Sequence, residues 1–216
     1  MCHFQYATKE ELTPVRDELI AIINETQDLL RSEFTFRFDF VGSYKRNMVT
    51  YDPKSNIGCD FDVNLEVNDD NEEYSAEALK RKIFLALDCV ALKYGYDHAE
   101  DSTRVITIKV KDRLHSRILH SCDFAIVNNY TDRQGHKRQQ YIHFNKKQVS
   151  YSWKNQPKGH YLLPEKERWI RRSDHQNELK DLYLEKKNAN LNPFKRSHSL
   201  YAEAVHEICQ KYGFYD

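Results

Sequence analysis

Long apolar runs are missing from this 216-residue sequence, and no stretch approaches the roughly 20 consecutive apolar residues that a membrane helix needs. Residues 1–6, MCHFQY, carry neither an apolar stretch nor a small-residue cleavage site, so no secretory signal is expected and a soluble, cytoplasmic protein is. Cysteine is sparse: five, at 2, 59, 89, 122 and 209, odd in number and without a CxxC pair. That pattern argues against a disulfide framework and a structural zinc site. No GxxxxGK(S/T) loop and no GxGxxG fingerprint occurs, which argues against a P-loop NTPase and a Rossmann dehydrogenase. The ten histidines include no HExxH or comparable ligand spacing. Internal repeats and low-complexity segments are absent as well.

What is present suits an ordinary globular domain. Hydrophobic residues make up 40% and charged residues 31%, enough apolar material for a core and far from a disordered composition. Basic and acidic side chains number 33 each, but they are unevenly placed. Residues 52–101 hold 13 acids against 5 bases, and residues 129–161 hold 7 bases against the single acid Asp132. An acidic segment followed by a basic one suits metal ions in one place and phosphates in another, or simply two solvated faces.

Apolar periodicity predicts a helix over 9–31, with Pro14 in or near its first turn. Phenylalanine at every second position from 34 to 40 predicts a strand, ended by Gly42-Ser43. Residues 60–67 alternate again, polar at even numbers and apolar at odd, before an acidic loop at 68–73. Ser75 is placed to cap a helix reaching Tyr94, with Gly95 at its end. Two strands follow, at 104–111 and 118–128, then a hairpin of 140–145 and 148–153. From Pro164 onward two helical segments are expected, broken at 188–193. The expected fold class is α/β (α+β): a mixed sheet with flanking helices over 1–155, and a small helical region over 156–216 packed on it.

The residues with chemical promise are Asp60, Asp62 and Asp123, with Gly42 and Ser43 upstream. Residues two apart in a strand share a face with Cα atoms about 6–7 Å apart, so Asp60 and Asp62 stand side by side while Phe61 and Val63 anchor the other face. Neighbouring carboxylates repel unless a cation lies between them, and oxygen-only donors favour Mg2+ or Mn2+. Asp123, in a later apolar strand, adds a third carboxylate if the strands are neighbours. Three carboxylates on adjacent strands would make a two-metal site suited to in-line phosphoryl or nucleotidyl transfer. Gly42-Ser43 offers backbone N–H groups and a hydroxyl to an anion, with Lys45 and Arg46 just beyond. Each element also has a plainer reading: a polar strand face that Asn64 and Glu66 continue, a turn, an edge-strand aspartate. Cys59 and Cys122, each preceding a candidate ligand, fall on the buried faces and read as small core residues. On the hairpin, Tyr141, Tyr151 and Trp153 lie among Arg138, Lys146, Lys147 and Lys154, a pattern that suits base stacking or a half-buried hairpin equally.

In order and spacing these segments resemble the nucleotidyltransferase superfamily with the DNA polymerase β-like core. GSYKRN at 42–47 is similar to its GS-x-x-R-(N/G) opening, CDFDVNL at 59–65 to its Asp-x-Asp strand, and CDFAIV at 122–127 to the strand of its third carboxylate. Met48 stands where a threonine is common, and Cys59 where a serine precedes the first aspartate. LYLEKK at 182–187 and SHSLYAEAV at 197–205 resemble a helical pair of the oligoadenylate-synthase-like and bacterial dinucleotide-cyclase-like branches. That resemblance implies nucleotide contacts from Lys186 and Ser197, with Lys187 and Ser199 as rivals. It also implies contacts from Gly42, Ser43 and Arg46, and Asp60, Asp62 and Asp123 as catalytic metal ligands.

The function expected is a Mg2+- or Mn2+-dependent nucleotidyltransferase. It would move a nucleoside monophosphate from a nucleoside triphosphate, ATP first among them, to a hydroxyl acceptor such as a nucleotide or RNA, releasing pyrophosphate. Two other classes stay open: a nucleic-acid-binding module using the basic 129–161 segment, and a catalytically silent relative acting through partners, such as an antitoxin.

Overall fold

The computed structural model describes residues 3–55, 57–69, 73–115 and 117–214. Cys2 and positions 70–72 of the acidic loop lie outside the described residues. In chain order the elements are β1 (Gln5–Tyr6), α1 (Lys9–Leu30), β2 (Thr35–Val41), α2 (Gly42–Lys45), β3 (Thr50–Tyr51), β4 (Cys59–Asn68) and α3 (Ala76–Lys93). Then come β5 (Glu100–Asp101), β6 (Val105–Asp112), β7 (Arg117–Thr131), β8 (Lys137–Asn145) and β9 (Ser150–Asn155). Three helices end the chain: α4 (Gly159–Arg172), α5 (Gln176–Ala189) and α6 (Ser197–Tyr212). The chain divides into two compact units, one of Tyr6–Tyr51 with Asn56–Gln156, the other of Met1–Gln5, Asp52–Ser55 and Pro157–Asp216.

The larger unit is built on a seven-stranded sheet ordered β2-β4-β7-β6-β5, with β8 paired to β7 and β9 to β8. The sheet is mixed: β4 and β7 run parallel, and β2–β4 and β6–β7 antiparallel. Alternation decides which face is buried. Phe61, Val63 and Leu65 of β4, Ile106 and Ile108 of β6, and Cys122, Phe124 and Ile126 of β7 join one core with Leu19, Ile22 and Ile23 of α1 and Ile83, Leu87 and Val90 of α3. The even-numbered side chains of β4 therefore face away from α1 and α3.

Local signals set the helix ends. Thr8 and Glu11 form a reciprocal capping box ahead of α1, and the Ser75 hydroxyl accepts from the Ala78 N–H at the start of α3. Pro14 lies in the second turn of α1 rather than the first, so one internal hydrogen bond is missing there. Gly58 lets the chain enter β4 tightly against β7: a Cβ there would come within 2.2 Å of the Leu119 carbonyl oxygen. Lys80 of α3 is buried, its ammonium 2.7 Å from Asp101 Oδ1 and 2.8 Å from the Ser102 carbonyl, and burial pushes its pKa down.

The smaller unit carries three helices where the sequence suggests two. Helix α4 starts five residues before Pro164, and the chain turns between α4 and α5 with Asp174 at φ +58°. No glycine or proline marks that turn, because an aspartate takes the left-handed conformation instead. In this unit Ile170, Leu179, Tyr183, Leu200, Tyr201, Ala204, Val205, Ile208 and Cys209 are buried. Among the described residues no helix is long and apolar enough to cross a membrane.

Candidate active site

Asp62 and Asp123 are direct partners in the parallel β4–β7 register, and Asp60 pairs with Ser121 one step along the same face. This register does what sequence spacing cannot, since Asp62 and Asp123 are 61 positions apart. Burial pushes the Asp62 carboxyl up to about 6, the charges of Asp123 and then Asp60 push the same way, and Arg46 opposes them. The charges of Asp60 and Asp123 therefore meet at Asp62 on one shared face.

Each carboxylate is held differently. The Thr107 hydroxyl, on β6 opposite Asp123, donates to Asp123 Oδ1 at 2.5 Å. The Ser121 hydroxyl donates to Asp60 Oδ1 across the β4–β7 pair. Asp62 backs onto Gly42, where a Cβ would come within 2.1 Å of Asp62 Oδ2. Gly42 has φ +61° and opens α2, a four-residue helical turn that reverses the chain at the end of β2. Its glycine is required twice, by conformation and by the space its neighbour fills. Ser43 follows in this turn, its carbonyl accepting from the Met48 N–H, and Arg46 is the C-cap. Lys45 is turned to Asp39, with Nζ 2.7 Å from Oδ2.

Among the described residues, no three His, Cys, Asp or Glu side chains are gathered as a ready ligand cluster. The carboxylates share a face without closing on one point, consistent with three like charges each held by a separate neighbour. The donor chemistry still fits a hard divalent cation. All candidate donors are carboxylate oxygens, and a cation would relieve the repulsion that raises Asp62. Cys122 is fully buried and Cys59 half-buried against the core, as their alternation requires. His120 points to the helical side, 2.8 Å from the Tyr96 hydroxyl.

Of the two readings left open for the hairpin, β8 and β9 take the half-buried one. Tyr141 is 6% exposed and carries the Arg104 guanidinium 4.5 Å from its ring centre. Tyr151 stacks on Phe144 at 4.5 Å and its hydroxyl donates to Asp101 Oδ2 at 2.8 Å. Trp153 is half-buried against the core. Stacking on nucleic-acid bases needs open ring faces, and these rings are engaged within the unit. The aromatic alternation is that of a strand pair covering the edge of the core.

Lys186 and Ser197 lie in the other compact unit. The Lys186 ammonium is 2.5 Å from Glu207 Oε1, and Ser197 is the exposed first residue of α6. Of their rivals, Lys187 Nζ sits 4.4 Å above the Phe4 ring, and the Ser199 N–H donates to the Arg196 carbonyl. Sequence reasoning missed Thr107 and Ser121. Both occupy polar positions of alternating strands, but only the pairing of β6, β7 and β4 shows which carboxylates they meet.

No protein-family model and no curated protein matches the chain in sequence. Solved structures do match in shape. The CdnE c-di-GMP synthase associated with STING from Capnocytophaga granulosa superposes with a TM-score of 0.60 at 17% identity, over 98% of this chain and 64% of that one. Vibrio cholerae DncV, a cyclic AMP-GMP synthase solved with the linear intermediate pppA(3′,5′)pG, gives 0.59 at 13% identity, over 93% and 67%. Elizabethkingia meningoseptica CdnE, a cyclic dinucleotide synthase solved with GTP and Apcpp, gives 0.51 at 16% identity, over 88% and 67%. The fold is a nucleotidyltransferase fold. The three dinucleotide synthases share that fold, and this chain spans about two-thirds of their length.

Proposed function

We propose that the protein is a nucleotidyltransferase that uses a nucleoside triphosphate and a divalent cation. The observation that carries this reading is the Asp62–Asp123 register beside Gly42, with Asp60 on the same face. The fold similarity to dinucleotide synthases supports it.

In this reading Asp60, Asp62 and Asp123 would hold Mg2+ or Mn2+. When bound, the cation neutralises the triphosphate charge and polarises the α-phosphorus. Gly42 and Ser43 receive phosphate oxygens where the α2 turn leaves a backbone N–H and a hydroxyl, and Arg46 adds positive charge beside Asp62. Asp123 orients the acceptor hydroxyl and takes its proton as the oxygen attacks the α-phosphorus. The P–O bond to pyrophosphate breaks, and the nucleotidyl group passes to the acceptor. Most of the acceleration comes from positioning and charge neutralisation. ATP is the first nucleotide to test, and the acceptor is a second nucleotide or an RNA end.

Pyrophosphate release from labelled ATP, GTP, CTP and UTP, with and without Mn2+, tests this directly, with product mass identifying the acceptor. A catalytically silent relative would release none from any of the four.

A companion measurement reads binding alone. Nucleoside triphosphate with Mg2+ is expected to raise the melting temperature, by about 2.7 kcal/mol of stabilisation at a hundredfold excess over Kd. At roughly 2–4 °C per kcal/mol, that is several degrees. With chelator the shift should largely vanish, because triphosphate and three carboxylates repel. An equal shift with and without metal would place the phosphates on a basic surface instead and count against the enzyme reading.

A further inference from the structure

We infer that Thr107 is a positioning residue for Asp123, its hydroxyl fixing the orientation in which that carboxylate serves the site. The inference rests on the nucleotidyltransferase reading and extends it to a strand that supplies no acid of its own to the site.

The strand register makes the contact. Thr107 faces Asp123 directly across the antiparallel β6–β7 pair, and its Oγ1–H donates to Asp123 Oδ1 at 2.5 Å. That separation belongs to the short, charge-assisted hydroxyl–carboxylate class. On either side Ile106 and Ile108 are fully buried, which pins β6 and leaves Thr107 on the opposite, acid-bearing face. A β-branched side chain has restricted χ1, so the hydroxyl is delivered at little entropic cost.

Without such a donor the Asp123 carboxylate, repelled by Asp62 beside it, gains by turning away. The neighbouring strand pair repeats the device, with Ser121 on Asp60. Both outer acids are thus held by hydroxyls from the next strand, and the central one by contact with Gly42. A threonine with a merely structural role would not need this partner. Thr107 is only half-buried, and exchanging its hydroxyl for a methyl group leaves the strand ladder and the core intact.

The test compares full-length wild type, Thr107→Val and Thr107→Ser. Mn2+ is titrated into metal-free protein and followed by its electron paramagnetic resonance, and pyrophosphate release is measured in parallel. Thr107→Val is expected to weaken Mn2+ binding and lower kcat by about 10–100-fold, the usual loss when a ligand's hydrogen-bond partner is removed. KM for the nucleotide should change little. Thr107→Ser should restore both quantities to within a few-fold, and all three proteins should melt together in chelator.

Wild-type affinity in Thr107→Val, or equal loss in Thr107→Ser, overturns the assignment. Wild type that binds no Mn2+ overturns the catalytic reading and this assignment together. If wild type binds Mn2+ but releases no pyrophosphate, the reaction fails while the Mn2+ affinities still decide the role of Thr107.

Discussion

Asp62→Asn is expected to abolish pyrophosphate release, by at least the roughly 10²–10³-fold lost when one charge-stabilising group is removed, while making the metal-free protein more stable near neutral pH. The two effects have one cause. The Asp62 carboxyl titrates at about 6 in the fold against an ordinary 3.8, because burial and then Asp123 and Asp60 oppose its charge. A raised folded value means that the folded state prefers the proton. The associated stability is fully present below about pH 4 and lost as pH rises through about 6. Above that range the ionised group weakens the fold by about 3 kcal/mol, since each tenfold change in proton affinity corresponds to about 1.4 kcal/mol. Asparagine keeps the shape and cannot ionise. In chelator at about pH 8 the variant should therefore melt several degrees above wild type, at roughly 2–4 °C per kcal/mol, and the difference should close by about pH 4. Calorimetry across that range checks the stability half and a pyrophosphate assay the catalytic half. A variant that turns over normally would show that the acid pair is only a polar strand face.

Gly42→Ala should be damaging in both respects at once. The residue sits at φ +61°, where a side chain loses about 1–2 kcal/mol to its own backbone. The added methyl would also meet Asp62 Oδ2 at 2.1 Å, so the carboxylate has to move. A fall in melting temperature of roughly 2–8 °C follows from the backbone cost, at 2–4 °C per kcal/mol. Turnover should fall further than that instability explains, because the displaced group is the acid in register with Asp123. Gly42→Ala combined with Asp62→Gly should stay inactive and keep the backbone cost at φ +61°, as removing the acid relieves only the clash. A Gly42→Ala protein with native activity would mean that Asp62 has room to shift without consequence.

Several features are legible in the sequence alone. Alternation over 60–67 places Asp60 and Asp62 on one face, because a strand has a period of two whatever it pairs with. The helices at 9–31 and 75–94 are legible for the same kind of reason. Their apolar stripes recur at helical spacing, and Ser75 caps the second as its position suggests. The order of Gly-Ser, Asp-x-Asp and a later strand aspartate is enough to name the fold class that the solved structures share. The turn at Asp174 is not legible, since the left-handed conformation there is taken by a residue that carries no obligatory turn signal. The hairpin itself is legible, but not the side its rings take, because aromatic and basic residues interleave in the same way whether the rings face solvent or a core.

What the chain determines by itself is local: periodicity, capping, and the pairing of two acids on a strand. What tertiary structure alone decides is register. Asp123 meets Asp62, Thr107 meets Asp123 and Ser121 meets Asp60 because β7 lies parallel to β4 and antiparallel to β6 at one particular offset. A slip of one residue would turn every one of these side chains to the other face, into the core beneath α1 and α3. That offset is set by burial of Phe61, Val63, Cys122, Phe124, Ile106 and Ile108 together, a collective property of three strands that no single segment contains.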